Sequence, residues 1–363
     1  MAVKIIVCLD GCAPEYIARS DTPNLDALGR EGFKTIGSAV IPTVTNVNNT
    51  TIVTANYPEV HGITANYYRD AASGREVYME SSEFLLAETM FRNVSRHGGK
   101  AAVLTAKDKL KALIGDGAAV AESAEKSPAW LVDLLGPPPP VYSIEINHWL
   151  FRAAAEVLRR ESPDLLYVTT TDYVTHMHGP EDDRAQWNMN RLDALLGELM
   201  NAAPEVEIVV TADHGMNPKS RALDLDRILH AAGIRGWAVP IIKDRYVVHH
   251  RNMGGAAYVY LEDAGAVAEA FAVLHGLSGV ESVMAGHEAA RIFHLHPGRV
   301  GDLFVLADVA TVFGTLSAAE EEVKIRSHGS VHEHEIPIYG FGPGPVSVRP
   351  KSNREVASWI FRP

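Results

Sequence analysis

The stretch Ile208-Val209-Val210-Thr211-Ala212-Asp213-His214-Gly215 decides the architecture. An aliphatic, β-branched run without polar alternation marks a strand buried on both faces, as parallel sheets contain. It ends on an acid, an imidazole and a glycine that allows a tight turn. The same plan occurs twice more. Ile5-Ile6-Val7-Cys8-Leu9 runs into Asp10-Gly11, and Leu165-Leu166-Tyr167-Val168, followed by threonines, leads to Asp172, with His176 four residues on. In open α/β sheets ligands bind beyond the carboxyl ends of the strands. Three segments therefore bring carboxylate and imidazole groups to one edge of one sheet. These are the donors of catalytic rather than structural zinc sites, so the pattern predicts a metal-dependent enzyme. Each piece alone reads as a cap or a turn. The joint occurrence carries the expectation, helped by the i, i+4 spacing of Asp172 and His176, which puts both on one face of a helical turn.

Outward from these strands, strand and helix alternate. Residues 3–9, 34–41, 101–104, 165–170 and 206–212 read as strands. Helices are expected from Thr22-Pro23 through Leu25, Leu28 and Phe33 (capped by Thr22 or Asp21), from Asn48 to Ala55, and over 86–98, 145–160 and 185–202. This alternation predicts a βαβ-built, mostly parallel sheet. After about Gly215 the pattern changes. Strands at 246–250, 256–261, 280–284, 291–295 and 302–306 surround one helix at 264–275, which suggests a small inserted α+β subdomain. The expected division is a core of residues 1–215 and 325–363 with a cap at 216–324. Pro137 to Pro140 is a stiff surface connector.

Composition narrows the function classes. The 363 residues carry a formal net charge of −12, which argues against nucleic acid as a partner. A local metal cluster can still attract an anion. Cys8 and Cys12 are the only cysteines; a disulfide framework is not expected, and a reducing compartment fits. The apolar stretch at Met1–Leu9 is too short for a signal sequence, and no run approaches the roughly 20 residues of a membrane span. A cytoplasmic protein that binds no membrane is expected, with a homodimer as the default assembly.

Pro42-Thr43-Val44-Thr45-Asn46-Val47-Asn48-Asn49 supplies a nucleophile candidate, since Thr45 stands just before a helix start, where N–H groups face an anion. At this point the words converge. Leu9-Asp10-Gly11, Pro42-Thr43-x-Thr45 with Asn48, Tyr57-Pro58-Glu59-x-His61-Gly62-Ile63 on to Asn66, Thr171-Asp172-x-x-x-His176, Thr211-Ala212-Asp213-His214-Gly215-Met216 and Ser327-His328-Gly329 together resemble the alkaline phosphatase superfamily, in its nucleotide pyrophosphatase/phosphodiesterase-like branch. They occur in that family's order across nearly the whole chain.

The resemblance implies an alkaline-phosphatase-like three-layer α/β/α sandwich with an inserted α+β cap, and two zinc ions. Asp172, His176 and His328 would hold one; Asp10, Asp213 and His214 would hold the other together with Thr45 Oγ, a metal ligand as well as the nucleophile. Mn²⁺ or Fe²⁺ suits the same donors. Asn66 would hydrogen-bond a phosphoryl oxygen. Cys8-Leu9-Asp10-Gly11-Cys12, Thr45-Asn46-Val47-Asn48-Asn49 and Thr105-Ala106-Lys107-Asp108-Lys109-Leu110 look like those branch members that hydrolyse the C–P bond of a carboxylated phosphonate. The substrate implied is a small anionic organophosphonate, with Lys107 and Lys109 recognising its carboxylate. Two residues i and i+2 project to the same side if the backbone stays extended. The competing readings are a phosphodiesterase or phosphonate monoester hydrolase of the same superfamily, a non-catalytic phospho-ligand binding protein, and a cofactor-independent mutase, whose Ser nucleophile and large extra domain are not evident. Of the later histidines, His328 is preferred over His332 and His334 because Ser-His-Gly matches the family word. His61 is expected to pack structurally and His249-His250 to lie in the inserted part.

Overall fold

A computed structural model describes residues 2–70, 73–244, 251–342 and 348–361. In it the three signature strands are neighbours. Val3–Cys8 pairs in parallel with Leu165–Thr169 on one side and Val206–Thr211 on the other. Cys8 stands opposite both Thr169 and Thr211. The three chain exits are thus level, and this register brings Asp10, Asp172 and Asp213 together.

The full sheet has seven strands in the order Phe33–Ser38, Glu335–Phe341, Val206–Thr211, Val3–Cys8, Leu165–Thr169, Ala101–Thr105, Val120–Ser123. Glu335–Phe341 is antiparallel to both its neighbours. Its Pro337 lies just before the segment that pairs with Val206–Thr211, where a missing N–H costs no ladder bond to that strand. Alternate residues of a strand face opposite sides, and helices cover both. Val7 and Val210 pack on Glu145–Glu161 and Asp183–Met200 through Phe151 and Leu192. Tyr167 points the other way, into Thr45–Thr54. The result is a three-layer α/β/α sandwich of the alkaline-phosphatase kind.

Between Thr211 and Glu335 the chain leaves this sheet. It builds a three-stranded sheet (Thr311–Phe313, Asn217–Leu223, Glu320–Ser327) and a four-stranded antiparallel one (Gly236–Pro240, Ala256–Leu261, Leu303–Ala307, Val280–Ala285). The helix Val267–His275 packs on the latter. The strand expected at 246–250, with His249 and His250, lies outside the described residues. The strand expected at 291–295 is instead the end of the helix Gly286–Phe293, which closes at His294 in the left-handed region. Ile292-Phe293 is too short a run to separate strand from helix, and the preceding Glu288-Ala289-Ala290 favours the helix. Among the described residues no helix is long and apolar enough to cross a membrane.

The helix expected to run to Phe33 stops at Glu31, and Phe33 opens a strand. Neither Thr22 nor Asp21 caps it through its side chain. The carboxylate of Asp193, on Asp183–Met200, accepts the N–H groups of Asn24 (3.0 Å) and Leu25 (2.8 Å) and the Asn24 side-chain amide (2.9 Å). A cap borrowed from a distant helix leaves no local sequence signal. Asp193→Ala is expected to lower stability by about 2 kcal/mol, from the lost cap plus buried donors left unpaired. Urea unfolding reads this, and a change under about 0.5 kcal/mol, the range of ordinary surface substitutions, would show that water replaces the cap.

Candidate active site

The side chains at the sheet edge form two groups. The donor atoms of Asp172, His176 and His328 lie within 4.8 Å of one another, and so do those of Asp10, Asp213 and His214; all six residues are buried. The histidines are oriented from behind. Nδ1 of His176 lies 2.8 Å from the Arg326 carbonyl, that of His214 2.8 Å from the Gly215 carbonyl, and that of His328 2.7 Å from the Thr43 carbonyl. A carbonyl only accepts, so each Nδ1 carries a proton, and in the neutral imidazole that leaves the Nε2 lone pair for a metal. Those Nε2 atoms face carboxylates: His176 lies 3.0 Å and His328 3.6 Å from Asp172, and His214 lies 3.6 Å from both Asp10 and Asp213. The rings of His214 and His328 stack at 3.8 Å and join the two groups.

The electrostatics ask for cations. Burial, then the charges of Asp172 and Asp213, push the Asp10 carboxyl well above its usual range. Burial also lifts Asp213, to about 7, against hydrogen bonds from the Gly11 and His214 N–H groups. Three carboxylates cannot all ionise in so small a dry volume without compensation. Burial and the neighbouring His214 and His176 push the His328 imidazole well below its ordinary value, which keeps it in the neutral, ligating form. Each group thus offers three oxygen or nitrogen donors, the set that holds a divalent ion with a position left open.

Thr45 opens the helix Thr45–Thr54. Its Oγ1 lies 3.5 Å from Asp10 and 3.3 Å from His214 Nε2, beside the second group. The helix was expected to begin at Asn48. It begins a turn earlier, and nearly every residue in it is buried, polar ones included. Such a helix shows no apolar stripe, so periodicity cannot locate its start. Asn48 fastens the preceding loop, donating to the carbonyls of Val40 (3.0 Å) and Pro42 (3.1 Å) and accepting from the Val40 N–H (2.8 Å). From the chain's other end, Asn353 donates to Asn48 (2.8 Å) and to the Asp213 carbonyl (3.3 Å).

Thr45, Asn66, Lys107 and Lys109 line one cavity of ≈500 Å³, measured out to its mouth. Asn66 Oδ1 is buried without a hydrogen-bond partner among the described residues. The expectation that the backbone stays extended through the lysines is corrected: Lys107 is extended, but the helix Asp108–Ile114 starts between them and holds Lys109 in its first turn. Both side chains still reach the cavity because a Lys stem is long. Lys107 Nζ lies 3.6 Å from Asp172, and Lys109 forms an ion pair with the buried Asp244. Burial pushes the Lys107 ammonium down, but Asp172 and Asp10 outweigh it and hold it above its ordinary value. Burial and Lys107 push Lys109 down. Asp244 and Asn353 were missed from sequence; neither follows a strand of the large sheet, and no spacing marks them.

His332 and His334 lie elsewhere. His332 pairs with Glu281, and His334 meets the Val331 carbonyl at 2.6 Å. His61 is wholly buried 3.0 Å from Thr51 Oγ1, and burial holds its imidazole at about 3.

A family model for type I phosphodiesterase / nucleotide pyrophosphatase matches residues 4–331. The chain belongs to that family, within the alkaline phosphatase superfamily. It is similar over its whole length to phosphonoacetate hydrolase from Sinorhizobium meliloti 1021: the structure in complex with phosphonoacetate superposes with a TM-score of 0.89 at 33% identity, covering 99% of this chain and 95% of the other. The structure of that protein with phosphonoformate gives 0.88 at 34%. Murine ectonucleotide pyrophosphatase / phosphodiesterase 5 shares the fold, with a TM-score of 0.69 at 19% identity. Among curated relatives, a pyrophosphatase/phosphodiesterase of Schizosaccharomyces pombe is 26% identical over 63% of this chain and 48% of its own length. Venom phosphodiesterase of Naja atra is 30% identical over 58% and 26%. The chain thus aligns with half or less of the length of these relatives.

The loop that delivers His328 is held by a buried ion pair. Glu333 accepts from Lys219 Nζ (2.8 Å), Asn217 (3.0 Å) and both the N–H and hydroxyl of Ser330 (3.0 and 2.7 Å). Burial pushes Glu333 up, but Lys219 and these hydrogen bonds win and hold it below the usual carboxyl range. Its stabilisation is therefore present above the unfolded pKa of roughly 4.3 and fades as the pH falls through the lower folded value. Lys219→Met strands the carboxylate and is expected to cost about 3–5 kcal/mol at neutral pH, with much of the difference from wild type gone in acid. Unfolding curves at several pH values check this; a pH-independent difference would rule out the charge as its origin.

Proposed function

We propose that this protein is a phosphonoacetate hydrolase that uses two zinc ions, cleaving the C–P bond to give acetate and phosphate through a phospho-threonine intermediate. The observation that carries the reading is the pair of half-buried ammonium groups, Lys107 and Lys109, in one cavity with Thr45, Asn66 and members of both ligand groups, Asp10, Asp172 and His328. A phosphate diester asks for no such pair. A phosphonate that also bears a carboxylate does. The similarity to the S. meliloti protein over the whole chain supports the same reading.

Divalent ions held by Asp172, His176 and His328 and by Asp10, Asp213 and His214 would supply positive charge for the phosphonate oxygens and lower the pKa of a hydroxyl or water beside them. Zinc fits three oxygen and nitrogen donors per ion, and Mn²⁺ or Fe²⁺ can occupy the same donors. Thr45 Oγ gives its proton to a water molecule and attacks phosphorus in line. The P–O bond forms as the P–C bond breaks, and the electron pair leaves with the CH₂ carbon. Asn66 donates to a phosphoryl oxygen. The substrate carboxylate, gripped by Lys107 and Lys109, takes up the leaving pair as an enolate, which water protonates to acetate. A second water then attacks phosphorus, frees phosphate and restores the Thr45 hydroxyl. The lysines act on charge that develops only as the bond breaks, so they stabilise the transition state more than the ground state.

The second reading is a phosphodiesterase, which the family match and the venom relative favour. Lys107→Ala and Lys109→Ala separate the two. On the first reading each is expected to lower kcat/KM for phosphonoacetate by about 100-fold or more, the worth of a charged contact of ~3 kcal/mol, while aryl diester turnover changes by only a few-fold. Equal loss on both substrates would reject carboxylate recognition. Thr45→Ala should abolish phosphate release from phosphonoacetate while leaving bound metal, measured by elemental analysis, at the wild-type amount. Retained turnover would remove Thr45 from the mechanism.

A further inference from the structure

The helix Thr45–Thr54 carries a polar residue with no place in the reaction above. Asn49 is wholly buried, one turn beyond Thr45. Its Nδ2 donates to Asp213 Oδ2 at 3.1 Å and to the Thr45 carbonyl at 3.1 Å. Its Oδ1 accepts from the hydroxyl of Tyr167 at 2.7 Å. Tyr167 is itself wholly buried, on the strand Leu165–Thr169. These partners fix the amide: two acceptors need its N–H end, and the phenol proton needs its oxygen. Turned over, the amide would set oxygen against the Asp213 carboxylate and the Thr45 carbonyl.

Asp213 is gripped on its other side as well. Its Oδ1 accepts the N–H of Gly11 at 3.1 Å and of His214 at 2.9 Å. Both oxygens are thus held and the plane of the carboxylate is fixed. Outer hydrogen bonds of this kind orient ligands and set metal affinity.

We infer that Asn49, oriented by Tyr167, is the positioning residue of the Asp10–Asp213–His214 group: it aims Asp213 and ties the Thr45 turn to the same carboxylate. Its action is specific to one of the two ions. Among the described residues the Asn49 amide has these three partners alone, none of them in the Asp172–His176–His328 group. A carboxamide suits this place because Asp213 needs a neutral donor; a carboxylate there would repel it. The inference rests on the two-metal reading above.

The test is Zn²⁺ binding to the purified full chain, titrated against a competing chelator. Wild type should hold two equivalents. In Asn49→Asp and Asn49→Leu one equivalent should weaken by about 10–100-fold and the other should keep its wild-type affinity. Tyr167→Phe, which removes a single oxygen and is the variant least able to disturb folding, should weaken the same equivalent more mildly. Introduced into Asp172→Asn, which cripples the other group, Asn49→Asp should weaken the remaining equivalent by about the same 10–100-fold. If wild type binds no zinc, the two-metal reading fails and takes this inference with it. If wild type binds two and the Asn49 and Tyr167 variants keep both unchanged, the inference alone is overturned. Equal weakening of both ions together with a lowered Tm would show general packing, and would overturn it too.

Discussion

The structure depends on holding three carboxylates, Asp10, Asp172 and Asp213, in one dry volume. Each is at most 5% exposed. Nothing in an apolar core gathers like charges spontaneously; the parallel register of three central strands does it, by ending Val3–Cys8, Leu165–Thr169 and Val206–Thr211 at one level. The energy for that register comes from the continuous aliphatic runs between two helical layers. The cost appears at the exits, where burial and mutual repulsion lift Asp10 and Asp213 above the usual range. Cations at the two ligand groups would remove that cost, which would couple metal binding to the stability of the fold.

The remaining parts serve those exits from far along the sequence. His328 arrives only after the chain has built two further sheets, and the buried Lys219–Glu333 pair fixes the loop that brings it. Asn353 reaches Asn48 and the Asp213 carbonyl from the last described helix. A site assembled from residues 10 to 353 needs long chain closures, each of which costs chain entropy before its contacts form. On the proposed reading, in-line attack by Thr45 would need its partners held in place in this way.

What the sequence revealed follows from the same physics. Central strands buried on both faces advertise themselves as aliphatic runs, so the strands ending at Asp10, Asp172 and Asp213 were legible with their polar termini. The edge strand Glu320–Ser327 was not, since an exposed strand rich in glutamate and lysine looks like a loop. Asn217–Leu223, the central strand of the same sheet, hides because Pro218, Lys219 and Ser220 interrupt the apolar run that would mark it. The Thr45 helix was legible only in part, because a helix buried all round has no polar face to set a period. Asp193, Asp244 and Asn49 were silent: each acts across the fold on a partner that no local spacing announces. Lys107 and Lys109 were noticed as a pair, but the extended geometry expected for them gave way to a helix start, which the long side chains absorb.

One catalytic edge serving two kinds of leaving group places the burden of choice on the cavity wall. The leaving group of a diester carries its charge on oxygen, where a metal ion can stabilise it. A methylene carbon departs only if its charge can spread, so a C–P hydrolase must hold the adjacent carboxylate during the bond breaking and not merely before it. Buried ammonium groups are costly when bare. Here Lys107 stands beside Asp172 and Lys109 is paired with Asp244. Each lysine can therefore stay charged in an empty cavity. On the proposed reading Asp172 would serve as a metal ligand, and the Lys107 ammonium beside it would be available to the substrate carboxylate. Asp244 then keeps the wall from becoming so positive that it would bind any anion well and release none.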